Sequence, residues 1–105
     1  MLLNGVKKYQ KTLNKIEVKK TMKKITYNNK TIPMPFNDMA IYQPAKELVK
    51  VSNRFTGETV EIPNFALSVY DVIMGSEMMN LWDKHAKALS WFRKYFPKEY
   101  MVILD

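Results

Sequence analysis

The sequence predicts an α+β fold: two β-hairpins forming a small antiparallel sheet, packed on two C-terminal helices plus a short terminal helix, with a basic helix or arm at the N-terminus. Three observations carry this expectation. Two segments, "ITYNNKTI" and "VKVSNRFTGETVEI", alternate with a period of two around turn residues. The segments after them switch to apolar residues three and four apart, the period of a helix. The first thirty residues hold nine lysines against one acid, Glu17, which confines the charge excess to one end of the chain.

Residues 1–24 are read as the basic arm and 25–105 as one folded domain. In "NGVKKYQKTLNKI", Val6, Tyr9, Leu13 and Ile16 recur at spacings of three, four and three, a narrow helical stripe backed by lysines. From Ile16 to Lys24 the pattern fits a continued helix and an alternating strand equally well. In the first hairpin Asn28 and Asn29 tolerate the positive φ of a two-residue type I′ turn, which places Tyr27 opposite Lys30, Thr26 opposite Thr31 and Ile25 opposite Ile32. "PMPFNDMAIYQP", with three prolines, reads as an irregular connection.

The second hairpin sets its own register. With Asn53 opposite Glu58, Val51 faces Val60 and Val49 faces Ile62, so the β-branched residues share one face while Lys50, Ser52, Thr59 and Glu61 share the other. "RFTG" is then the loop, with Gly57 as its left-handed residue. After Pro63 and Asn64, a helix is expected to bury Phe65, Val69, Val72 and Met79, widened by Tyr70, Ile73 and Met74, and to loosen at Gly75 and Ser76. Asn80 is read as the cap of a second helix, with Asp83 three positions on. That helix turns Trp82, His85, Ala86, Leu89, Phe92 and Phe96 inward and Asp83, Lys84, Lys87, Arg93 and Lys94 outward. Pro97 ends it and opens a short helix that packs back through Tyr100, Met101 and Leu104.

Composition narrows the function. The chain has 105 residues, room for one domain, and its 47% hydrophobic content with 2 Trp, 6 Tyr and 5 Phe rules out wholesale disorder. Without cysteine it forms no disulfide and no thiolate zinc site. "MLLNGVKK" is too short an apolar run for a signal peptide, and Asp71 interrupts the apolar stretch "FALSVYDVIM", so neither a signal peptide nor a membrane span is expected.

Catalysis is not expected. His85 is the one histidine and lies on an apolar stripe, where it reads as a core residue. It has no second histidine for a metal site, and the isolated glycines make no phosphate loop. Asp71, Glu77 and Asp83 meet only if helix packing brings them together. No catalytic residue, metal, cofactor or small-molecule substrate is expected.

Binding has better support. Residues 1–30 carry a formal charge of +8 and the remainder −1. Lys7, Lys8, Lys11, Lys15, Lys19, Lys20, Lys23 and Lys24 are the candidate contacts to nucleic acid or to an acidic protein surface. Lysine outnumbers arginine fifteen to two. That bias disfavours sequence-specific reading, because bidentate contact to guanine uses the arginine fork. Arg54 and Phe55 stand out in the hairpin loop. Either Phe55 folds over the hairpin and the loop is architecture, or the two residues form an exposed contact pair for a protein partner.

At "NRFTGETVEIPNFALSVYDVI" and "YFPKEYMVILD" the sequence resembles small uncharacterised proteins of tailed bacteriophages, over roughly residues 49–105. Phe55, Thr56, Gly57 and Glu58 match their Asn-Pro-Phe-Thr-Gly-Glu turn, with Arg54 in place of the proline. Tyr70 and Asp71 match a helix motif, and Pro97, Glu99, Tyr100 and Asp105 match the ending. The resemblance implies a phage origin and no catalytic residues. The resulting expectation is a non-enzymatic phage accessory protein acting on nucleic acid or a nucleoprotein complex in the host cytoplasm. The alternative is a minor virion protein whose arm contacts neighbouring virion subunits.

Overall fold

A computed structural model of the chain describes residues 19–21, 23–37 and 39–105. The helical stripe from Val6 to Ile16 lies outside them. Strands β1 (Lys19–Thr21), β2 (Lys24–Tyr27), β3 (Lys30–Pro33), β4 (Ala40–Tyr42), β5 (Leu48–Ser52) and β6 (Thr59–Pro63) precede helices α1 (Asn64–Met78), α2 (Trp82–Tyr95) and α3 (Pro97–Ile103). The class is α+β, with β4 and the β5–β6 hairpin against α1 and with α3 against β6.

Both hairpins have the register their sequences specify. Tyr27 lies opposite Lys30 and Ile25 opposite Ile32, around Asn28 and Asn29 at φ 51° and 64°. Val49 lies opposite Ile62 and Val51 opposite Val60. The Asn53 N–H then donates to Glu58 O at 2.7 Å, and Gly57, at φ 79°, donates to Asn53 O at 2.9 Å. The hairpins do not merge into one sheet, however; each is a separate two-stranded ladder. Pro33 and Pro63 end β3 and β6 without an N–H to extend either ladder.

A third ladder occupies the stretch read as an irregular connection. β4 pairs with β1, Lys19 opposite Tyr42 and Thr21 opposite Ala40, which settles Lys19–Thr21 as strand. Ile41 is fully buried. Three residues are too short to show a period, so β1 stayed one of two alternatives in the pattern and β4, among prolines, was read as a connection.

α1 starts directly after Pro63 without a side-chain cap. Backbone carbonyls of the preceding loop satisfy its first donors: Asn64 N–H donates to Glu47 O and Phe65 N–H to Ala45 O, both at 2.9 Å. Its buried face is Phe65, Ala66, Val69, Ile73 and Ser76. Gly75 and Ser76 do not loosen it; the helix continues to Met78, and Ser76 Oγ donates to Ile73 O at 3.1 Å. Met79, expected inside, is exposed. Asn80 terminates α1 rather than capping α2. At φ 59° it sits in the left-handed region, its N–H donating to Glu77 O and that of Leu81 to Ser76 O, the bond pair of a Schellman motif.

On α2 the buried residues are Ala88, Trp91 and Phe92, with His85 and Leu89 half-buried. Trp82 and Ala86, expected inside, are exposed. Trp82 opens the helix at the tip of the α1–α2 hairpin, four residues past the end of α1, where none of the described helices covers it. The inward face turns instead towards β3, where Trp91 Nε1–H donates to Pro33 O at 2.6 Å. Trp91, Phe92 and Phe96 pack with Phe65 and Tyr27 at ring separations of 5.3 to 6.2 Å. α3 buries Ile103, and Met101, expected to pack back, is 64% exposed.

Candidate nucleic-acid interface and contact turn

The described part of the lysine-rich segment is anchored by its backbone. Lys19 and Lys20 belong to β1, opposite Tyr42 and Ile41. β4, their partner strand, is held from its other side by α1: Tyr42 N–H donates to Ser68 Oγ at 3.0 Å, and Tyr42 Oη donates to Asp71 Oδ2 at 2.5 Å. Lys23 O accepts the Met34 N–H at 2.8 Å, and Lys24 lies opposite Pro33. Both side chains are exposed, and neither forms an ion pair with a described residue. Lys7, Lys8, Lys11 and Lys15 lie outside the described residues.

Asn53 builds the Arg54–Phe55 turn. Its buried Oδ1 accepts the N–H groups of Phe55 at 2.7 Å and Thr56 at 3.0 Å, and its Nδ2 donates to Val102 O at 2.9 Å. The loop is thereby pinned to α3. Phe55 does not fold over the hairpin: it is 83% exposed. The Arg54 guanidinium lies 4.9 Å from the Phe55 ring centre and donates from one nitrogen to both carboxylate oxygens of Glu77, at 2.9 and 3.1 Å. The turn is a fixed platform that presents one aromatic ring, with the neighbouring cation neutralised.

Pattern reading missed a second exposed apolar group. Met78, Met79, Leu81 and Trp82 are all exposed around the α1–α2 turn, Met78 by 83%. The signal was in "GSEMMNLWD", where Asn80, a left-handed turn residue, stands between two apolar pairs and breaks the helical period.

The residues weighed for chemistry do not assemble into a reactive cluster. His85 Nδ1 is 3.0 Å from Ile73 O and 3.3 Å from Ser76 Oγ, which spans α2 to α1. A proton on Nδ1 meets the carbonyl there. Asp71 accepts from Tyr42 and Glu77 from Arg54, so these two carboxylates have different partners. Asp83 stays exposed in the first turn of α2. Among the described residues, no three metal-ligating side chains come together, and no helix is long and apolar enough to cross a membrane. No protein-family model, no curated protein and no solved structure matches the chain.

Proposed function

We propose that this chain is a non-enzymatic phage accessory protein that binds nucleic acid, or a nucleoprotein complex, in the host cytoplasm through its N-terminal lysines. The β1–β4 ladder carries the reading. It ties a segment with a formal charge of +8 to the folded domain at Lys19–Thr21, and the exposed ammonium groups of Lys23 and Lys24 follow at once. A lysine that replaces condensed counterions on phosphate gains affinity without reading bases. The resemblance of residues 49–105 to small phage proteins supports the infected cell as the setting.

Fluorescence anisotropy across a salt series tests it. With ~5 phosphate contacts, the slope of log affinity against log salt is about −4 to −5 on duplex DNA. Changing Lys19, Lys20, Lys23 and Lys24 together to Ala flattens that slope and leaves the fold intact. An unchanged slope and affinity overturn the assignment.

The exposed ring of Phe55 and the apolar turn from Met78 to Trp82 favour a second reading, the minor virion component, because apolar side chains held in water suit protein contacts. Mass spectrometry of purified particles divides the two: stoichiometric presence supports the virion reading, and absence with early expression supports the first.

A further inference from the structure

Three lysines of α2, Lys84, Lys87 and Lys94, lie along one side of the helix, each placed over an aromatic ring. Lys84 Nζ and Lys87 Nζ are 5.6 and 5.2 Å from the centre of Phe36, and Lys94 Nζ is 5.3 Å from the centre of Tyr95. Both rings are half-buried, so each keeps a solvent-facing part. A groove of about 410 Å³ runs beside them, walled by Pro33, Pro35, Trp91 and Tyr95, with Lys87 and Lys94 in its lining and no carboxylate among its described residues. The wall is fixed, since the Trp91 N–H is bonded to Pro33 O. Lys24 lies opposite that same Pro33 in the β2–β3 ladder.

Acidic groups bound this surface on both sides. Asp83 precedes Lys84 on the helix, and Asp71 shares a neighbouring cleft with Lys84. Beyond Lys94, Glu61 and Glu99 line the next groove. Between these limits the ten helical steps from Lys84 to Lys94 span about 15 Å, the length of about four stacked nucleotides. A cation over an exposed ring is weakly held and readily exchanged for a phosphate, which frees the ring face for a base.

We propose that this groove, together with the adjoining cleft lined by Phe36 and Lys84, binds a short single strand of nucleic acid, with Lys84, Lys87 and Lys94 on phosphates and bases stacked on Phe36 and Tyr95. A duplex keeps its base faces covered and leaves both rings without a partner, and an acidic peptide supplies charge but no flat face. Lysines with stacked rings read no base edges, so binding tolerates any sequence. The proposal deepens the nucleic-acid reading by naming the form of the ligand, and it places contacts on the folded domain rather than on the arm alone.

Anisotropy on the full chain with a labelled oligothymidylate of about sixteen nucleotides tests it, beside a duplex of equal length and with polyglutamate as competitor. Lys87→Ala with Lys94→Ala is expected to weaken single-strand binding at least ~10-fold and to reduce the salt slope by about 1.4, two single-strand phosphate contacts. Tyr95→Leu is expected to weaken single-strand binding about tenfold with the slope unchanged, and duplex binding not at all. Circular dichroism and thermal unfolding accompany each variant, and Phe36→Leu repeats the stacking test at the other ring if Tyr95→Leu unfolds. Unchanged single-strand affinity in the groove variants, with affinity lost in the four-lysine arm variant, overturns the groove and keeps the arm. Equal losses on single strand and duplex, or full displacement by polyglutamate with no effect of either ring substitution, also overturn it. No binding to any nucleic acid overturns both readings.

Discussion

Asn53 and Val102 are joined by a 2.9 Å hydrogen bond across 49 residues of sequence, from the side-chain amide of a hairpin loop to a carbonyl of α3. The same side chain orders the loop through two further bonds. Asn53→Ala removes all three and leaves their part-buried backbone partners unmatched, at an expected cost of about 3 kcal/mol. Asn53→Asp keeps the acceptor but sets an oxygen against Val102 O, at about 2 kcal/mol. Urea denaturation gives both values, and an unshifted midpoint for Asn53→Asp would show that the bond to α3 contributes nothing.

Two glycines should respond oppositely to the same substitution. A Cβ at Gly57 or Gly75 meets no atom within 4 Å, so sterics are equal. Gly57 has φ +79°, and Gly57→Ala is expected to destabilise by about 1 kcal/mol through backbone strain. Gly75 lies inside α1, where Gly75→Ala is expected to stabilise by about 0.5–1 kcal/mol. Paired thermal melts decide the matter; equal signs would refute the strain argument.

The two tryptophans differ in the same way. Trp91 is 6% exposed and bonded to Pro33, and Trp91→Ala is expected to cost about 3–5 kcal/mol. Trp82, 56% exposed, should cost under about 1 kcal/mol on the same change. A severe loss at Trp82, seen by denaturant titration, would mean that this residue is covered in solution.

At the contact turn, Phe55→Ala is expected to change stability by less than about 0.5 kcal/mol, because the ring is exposed and its contact with the Arg54 guanidinium lies in water. Arg54 and Glu77 form an exposed pair, so a double-mutant cycle to Ala should return a coupling of about 0.2–1 kcal/mol that declines with added salt. A larger coupling, independent of salt, would place the pair in a drier setting than its exposure indicates.

The hairpins were legible because each sequence constrained them locally. Asn28 and Asn29 force a two-residue turn, and Val49, Val51, Val60 and Ile62 share a face in only one register. Helical spacing, by contrast, says which residues share a stripe but not where a partner ends. Met79, Trp82 and Met101 had the right spacing and lie exposed, beyond the reach of the described elements. β1 stayed undecided between helix and strand, and β4 was read as a connection, because three residues carry no period. At the candidate site, Arg54 and Phe55 stood out as a cation and an aromatic ring side by side in a hairpin loop. Their arrangement depends on Asn53, Val102 and Glu77, which come together only in the folded chain. The α2 lysines read correctly as an outer face, but Phe36, the ring beneath Lys84 and Lys87, comes from a segment without periodicity.

The imidazole that bridges α2 to the Ile73 carbonyl is the only one in the sequence. Its ring protons and nitrogens therefore give one assignable set of magnetic resonance signals, unobscured by any second histidine. Those signals depend on Ser76, Ile73 and the edge of Trp82, all within a few ångströms. The chain thus carries a native, label-free gauge of whether its two long helices are docked, readable at one residue while ligand is added.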